Sequence, residues 1–179
     1  MKRLSWILSF LIIGITMFSI ANNREEDPNF LDDELLQVEL HFKRKDERNL
    51  AVSQANVGWQ LDHSLKTINE ICKALANSNP EEYTSKFNVQ RIVVHTFGFI
   101  PRGEAQAPKN VRPPNKVRLD SLKLQLTIAK QNLNTISSLD KNAFFAHPVF
   151  DHLDRDQTRR FLKIHTNHHL KIIADILGE

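Results

Sequence analysis

Apolar residues recur at three- and four-residue spacing along most of this chain, and strict two-residue alternation is rare. Such periodicity predicts helices rather than strands. The pattern opens with an uncharged, mainly apolar run over residues 4–21 and a polar stretch over 22–28. A first helix is expected over 29–45, with Phe30, Leu35, Leu36, Val38 and Phe42 apolar. A second covers 52–76 and turns Leu61, Leu65, Ile68, Cys72 and Leu75 to one side, and a third covers 88–97. The fourth, 119–137, repeats Leu122, Leu126, Ala129, Leu133 and Ile136. The last is framed over 154–177: Asp154 with Gln157 reads as a capping box, and Gly178 stands where a helix ends in a left-handed residue. The loop over 98–116 is stiffened by Pro101, Pro108, Pro113 and Pro114, and a second loop spans 140–153. Helices that each carry one apolar stripe bury it in a shared core, so the expected fold is an all-α antiparallel bundle.

The remaining totals narrow the picture in three places. Lys2 and Arg3 precede the apolar run, and Glu25, Glu26 and Asp27 follow it. This charge order marks residues 1–21 as a signal-anchor or signal peptide, with 22–28 as linker and 29–179 as the folded domain. The expected placement is membrane-anchored with the domain outside the cytoplasm; cleavage after Ser19-Ile20-Ala21 would instead export it. The formal charge of +3 falls to +1 once Lys2 and Arg3 are set aside, which is no footprint of a nucleic-acid binder. Cys72 is the single cysteine and lies on an apolar stripe, so it reads as a small buried hydrophobe rather than a reactive thiol.

Candidate chemistry concentrates in His165-Thr166-Asn167-His168-His169. Residues four apart on a helix share a face, so His165 and His169 can aim two imidazoles at one point. Phe161, Leu162, Ile172, Ile173 and Ile176 define the apolar side of that helix, and both rings fall within it. Two buried imidazoles need partners. They either share a metal ion or bond to backbone and carboxylate groups. His168 lies at the edge of the stripe. Elsewhere, the loop with Arg102, Lys109, Arg112 and Lys116 can meet an anionic group or simply cross between helices in water. His147, before Pro148, can shape a pocket or hold a turn.

Four tracts in order, "VGWQLDHSLKTI", "GFIPRGEAQAPKNVRPP", "AHPVFDHL" and "RRFLKIHTNHHLKII", resemble the uncharacterised branch of the DinB/YfiT-like superfamily. The resemblance covers residues 50–177. It implies a four-helix bundle, here with an extra N-terminal helix and the hydrophobic leader. It also implies a divalent metal, zinc or nickel, held by His63, His165 and His169 with the remaining position left to water or substrate. By its own helix His63 is unremarkable: it lies well off the main stripe, beside Trp59, Thr67 and Glu70. Asp62, Glu70 and His168 are the candidates to orient a ligand or carry a proton. Thr166 stands where a zincin protease carries its glutamate, so that activity is not expected. The expected function is a metal-dependent transferase or hydrolase acting on a small molecule. The alternative is a non-enzymatic tethered bundle with a structural metal or none. The self-association options include a homodimer.

Overall fold

The computed structural model describes Trp6, Ser9 and residues 11–16, 23–103 and 106–179. It is mostly helical with one small two-stranded sheet. The order is α1 (Asp32–Leu40), α2 (Val57–Ala76), α3 (Val89–Phe97), α4 (Leu119–Ile136), β1 (Phe144–His147), β2 (Asp151–Asp154) and α5 (Arg155–Leu177). Short 3-10 turns occupy His41–Arg44, Pro80–Glu82 and Lys109–Val111.

The helices begin and end for local reasons. Asn56 accepts from the Trp59 amide at the start of α2, and Asn88 accepts from the Arg91 amide at the start of α3. Asp154 and Gln157 form the expected capping box of α5, and Gly178 closes it in the left-handed region at φ 71°. Gly58 is required by a close approach: a Cβ there would meet the Lys45 carbonyl oxygen at 2.8 Å.

α2 lies at the centre. It packs against α4 on one side and α5 on another, while α1 packs against α4 and α5. Leu61, Leu65 and Ile68 of α2, Leu122 and Ala129 of α4, and Leu162 and Ile173 of α5 share one apolar core with Leu31, Leu35 and Val38. The N-terminal helix, expected as an extra one beside the four of the bundle, belongs to the core. α3 has the reverse fate. It contributes only the half-buried Val94 to that core, because Arg91 and His95 face inward while Val89, Val93 and Phe97 face solvent.

The expected loop at 140–153 contains the hairpin. β1 and β2 pair antiparallel with Phe144 opposite Asp154 and His147 opposite Asp151. His147 makes the turn: its Nδ1 accepts from the amides of Val149 and Phe150, each at 3.1 Å. Asp151 then takes φ 60°, a region Asp tolerates better than most residues.

The expected membrane anchor must be corrected. Among the described residues no helix is long and apolar enough to cross a membrane. The long helices are interrupted by charge, α2 by Asp62, Lys66, Glu70 and Lys73, and α5 by seven charged residues from Arg155 to Asp175. Within the leader, Trp6, Ser9 and residues 11–16 are helical, and the rest of 1–21, on which the anchor and cleavage expectations also rest, lies outside the described residues. The stretch read as a linker is docked rather than free. The Arg24 guanidinium donates to both Asp154 carboxylate oxygens at 2.9 and 2.6 Å, and the Glu25 amide donates to the Asp156 carbonyl.

Candidate metal centre

His165 and His169 stand one turn apart on the inner side of α5, facing α2. His63 projects from α2 toward them. The three ring centroids form a triangle with sides of 5.2, 4.8 and 4.6 Å. Their nitrogens come within 4.8 Å of one another, so the group can hold a metal ion. The Nε2 atoms of His165 and His169 are 3.3 Å apart. Two nitrogens at about 2.0–2.1 Å from a tetrahedral ion are separated by about 3.3–3.4 Å, so this edge already has the spacing of a zinc-type site.

Partners on the far side of two rings fix where their lone pairs point. His63 donates from Nδ1 to the Val111 carbonyl at 3.0 Å. His169 donates from Nδ1 to Gln60 Oε1 at 2.6 Å, and Gln60 Nε2 in turn donates to Ser53 Oγ at 3.4 Å. An imidazole with its proton on Nδ1 presents an unprotonated Nε2, which is the form that binds metal. The donor set therefore suits a divalent ion without rearranging protons on these two rings. The Nδ1 of His165 is buried and has no hydrogen-bond partner.

Burial reinforces the neutral state. The side chains of His63 and His169 sit in residues only 5% and 7% exposed. Desolvation lowers the pKa of all three imidazoles, helped at His165 and His169 by repulsion among the neighbouring histidines. A neutral ring need not lose a proton to bind an ion at neutral pH.

The other sequence candidates divide into neighbours and outsiders. Trp59 stacks on His63 with centroids 5.0 Å apart and closes one side of the centre. His168 sets its ring edge-on to His169 at 5.0 Å. It also borders a small cleft of about 40 Å³ with Phe99, Ile100, Arg102 and Lys171. Arg102 is turned to Asp175 at 2.7 Å and is not beside the three rings. His147 is linked to the centre through Phe161, which contacts both His147 and His165. Asp62 points to the opposite side of α2, where it accepts from Gln125 Nε2 at 2.6 Å and lies 2.7 Å from Lys66 Nζ. Glu70 is exposed and lines a groove between α2 and α4. Neither carboxylate meets the histidines.

Two participants were missed in the sequence, Gln60 and the backbone carbonyl of Val111. A main-chain oxygen from a distant loop leaves no side-chain signal. Gln60 precedes His63 by three residues, one turn earlier on α2, and its burial, an unusual place for an amide, shows only in the structure. Comparison with models of known protein families, with curated proteins and with solved structures found no match in any of the three.

Burial of uncharged histidines also sets how the fold responds to acid. Desolvation lowers both His95 and His147 to about 4. A histidine unfolds to an ordinary pKa of about 6.5, so its contribution is complete above that value and is lost as pH falls toward the folded one. For the fully buried His95 the gap corresponds to about 3 kcal/mol. The expected outcome is a urea midpoint for metal-free protein that drops steadily from pH 7 to pH 4.5 at fixed ionic strength. A flat or rising midpoint over that interval would show that these rings are not held neutral by the fold.

Proposed function

We propose that this chain is a divalent-metal-dependent enzyme of transferase or hydrolase type, acting on a small molecule. The reading places it in a DinB/YfiT-like four-helix bundle and takes zinc or nickel as the ion on His63, His165 and His169. One observation carries it: among the described residues the convergent set numbers three, all imidazoles. Structural zinc sites close their tetrahedron with four protein ligands, whereas catalytic ones use three and leave a position for water or substrate. The ion would supply Lewis acidity toward a water or thiol in that position. Gln60 and the Val111 carbonyl hold two of the rings in register and keep their protons on the outer nitrogens. Trp59 shields the centre from water on the α2 side. His168, whose ring lies edge-on to His169, is the group to carry a proton.

A second reading, a non-enzymatic protein with a structural ion, draws support from the near-complete burial of His63 and His169. A direct experiment separates the two. The metal-loaded full chain is assayed against a panel of thiol acceptors and of ester and amide substrates, alongside His168→Ala. Turnover that drops at least tenfold in His168→Ala at unchanged metal content supports the enzyme. No turnover on any substrate, with cooperative unfolding on chelation, favours the structural ion.

A further inference from the structure

α3 is amphipathic in the wrong direction for a helix that serves only its own fold. Its inner side buries Arg91, His95 and Thr96, while its outer side presents large apolar residues to solvent. Val89, Val93 and Phe97, four residues apart, form one straight ridge, and Phe87 and Phe99 extend it at either end. Phe87, Phe97 and Phe99 are 83%, 73% and 60% exposed, and Val89 and Val93 are 59% and 48% exposed. Departures of this kind from apolar-inside patterning are expected where a surface has a task.

The exposed area has the size of an interface. The three phenylalanines leave the equivalent of about two whole aromatic side chains uncovered, or about 300–550 Å² at about 150–250 Å² each. A standard protein interface buries about 800 Å² per partner, somewhat more than half of it apolar. This ridge by itself therefore provides the apolar complement of one side.

The order of residues along the ridge points to the partner. Positions 87, 89, 93, 97 and 99 are symmetric about Val93. A two-fold axis through Val93, perpendicular to α3, would set Val93 against its twin and Val89 against Phe97, with Phe87 and Phe99, which lie outside the helix beyond Asn88 and Gly98, at the ends of the contact. Val89 then faces Phe97, small against large, on both sides of the axis, and the same patch serves both copies, which is what an isologous contact requires. The segment from Tyr83 to Gly103 contains no acidic residue. Its exposed cations are Lys86, 4.0 Å from Asp151, and Arg102, 2.7 Å from Asp175; the axis brings Lys86 of one copy toward Arg102 of the other, and these carboxylates offset the repulsion.

We propose that the protein forms a two-fold symmetric homodimer through the outer ridge of α3, centred on Val93. None of its residues touches the three histidines, and only Phe99, at one end, shares the small cleft with His168.

The test uses the full chain in sedimentation and light scattering between about 1 and 100 µM. Wild type is expected to be dimeric. Val93→Glu faces two carboxylates across the axis and should weaken the dimer by about 100-fold or more, with helical circular dichroism and thermal midpoint of the monomer unchanged. Val93→Cys should cross-link on mild oxidation, since the substituted positions meet at the axis, while Leu124→Cys, 62% exposed on α4 and off this helix, should not. The buried Cys72, present in every variant, serves as the internal blank. A monomeric wild type at 100 µM overturns the proposal. So does a dimer untouched by Val93→Glu, which would place association on another surface such as the leader. Monomers that bind lipid vesicles through this ridge would likewise overturn it.

Discussion

His169→Ala is expected to abolish stoichiometric binding of divalent metal. Wild type, stripped of metal and titrated with zinc or nickel in competition with a chelator, should take up about one ion per chain. At a free-ion concentration a thousand times its dissociation constant, that ion stabilises the fold by about 4 kcal/mol. In a domain of this length the corresponding rise in melting temperature is about 8–16 °C. The variant should show neither the uptake nor the rise. Gln60→Leu gives the finer test, because it leaves all three rings and removes only the acceptor that holds the His169 Nδ1 proton. Affinity should fall about 10–100-fold with stoichiometry retained. Two results would count against the centre: a wild type that binds no ion, or a His169→Ala variant that binds as tightly as wild type.

The parts of this centre that were legible in the sequence are those encoded within one turn of helix. His165 and His169 declare themselves by spacing, and α5 is bounded by Asp154, Gln157 and Gly178, whose roles depend on neighbours three residues away. His63 was named only by resemblance. Its helix was read as having one buried stripe, but α2 is the central helix and buries residues on nearly every side, from Gln60 through Leu65. A single-stripe reading therefore places any polar residue of α2 outside. Asp62 misled in the opposite sense: it is buried and next to His63 in sequence, yet it serves Gln125 across the other helix pair.

Other features were illegible because their causes are long-range. The β1–β2 hairpin depends on a histidine that closes its own turn and stacks its ring on Phe150, a contact no alternation pattern announces. The inversion of α3 was equally hidden, since a nine-residue amphipathic helix does not say which of its sides meets the core. Cys72 was read correctly from its stripe. It is buried, and desolvation pushes its thiol up to about 12, which keeps it protonated. The fold-level expectation held at its coarser level, a mainly helical domain, and missed the small sheet.

Asp154→Ala should produce a loss of about 2–3 kcal/mol, because one carboxylate serves three elements. It caps α5 by accepting from the amides of Asp156 and Gln157 at 3.1 and 3.0 Å. It receives Arg24 from the docked stretch before α1, and the Tyr83 hydroxyl donates to it at 3.3 Å. The Arg24 side chain is 45% exposed, so that ion pair is partly screened and counts for less than its distance suggests. The cap should then dominate, which Asp154→Asn can decide. Asparagine keeps the capping oxygen but not the charge, so its effect should stay under about 1 kcal/mol, and Arg24→Ala should match it. Equal losses for Asp154→Asn and Asp154→Ala in urea unfolding would shift the weight to the ion pair and make residues 23–26 a principal brace of α5. In either case the histidines lie more than two turns further along the helix. Metal affinity at temperatures where the variants remain folded should therefore equal that of wild type, and a parallel loss of affinity would show that the start of α5 and the centre move as one unit.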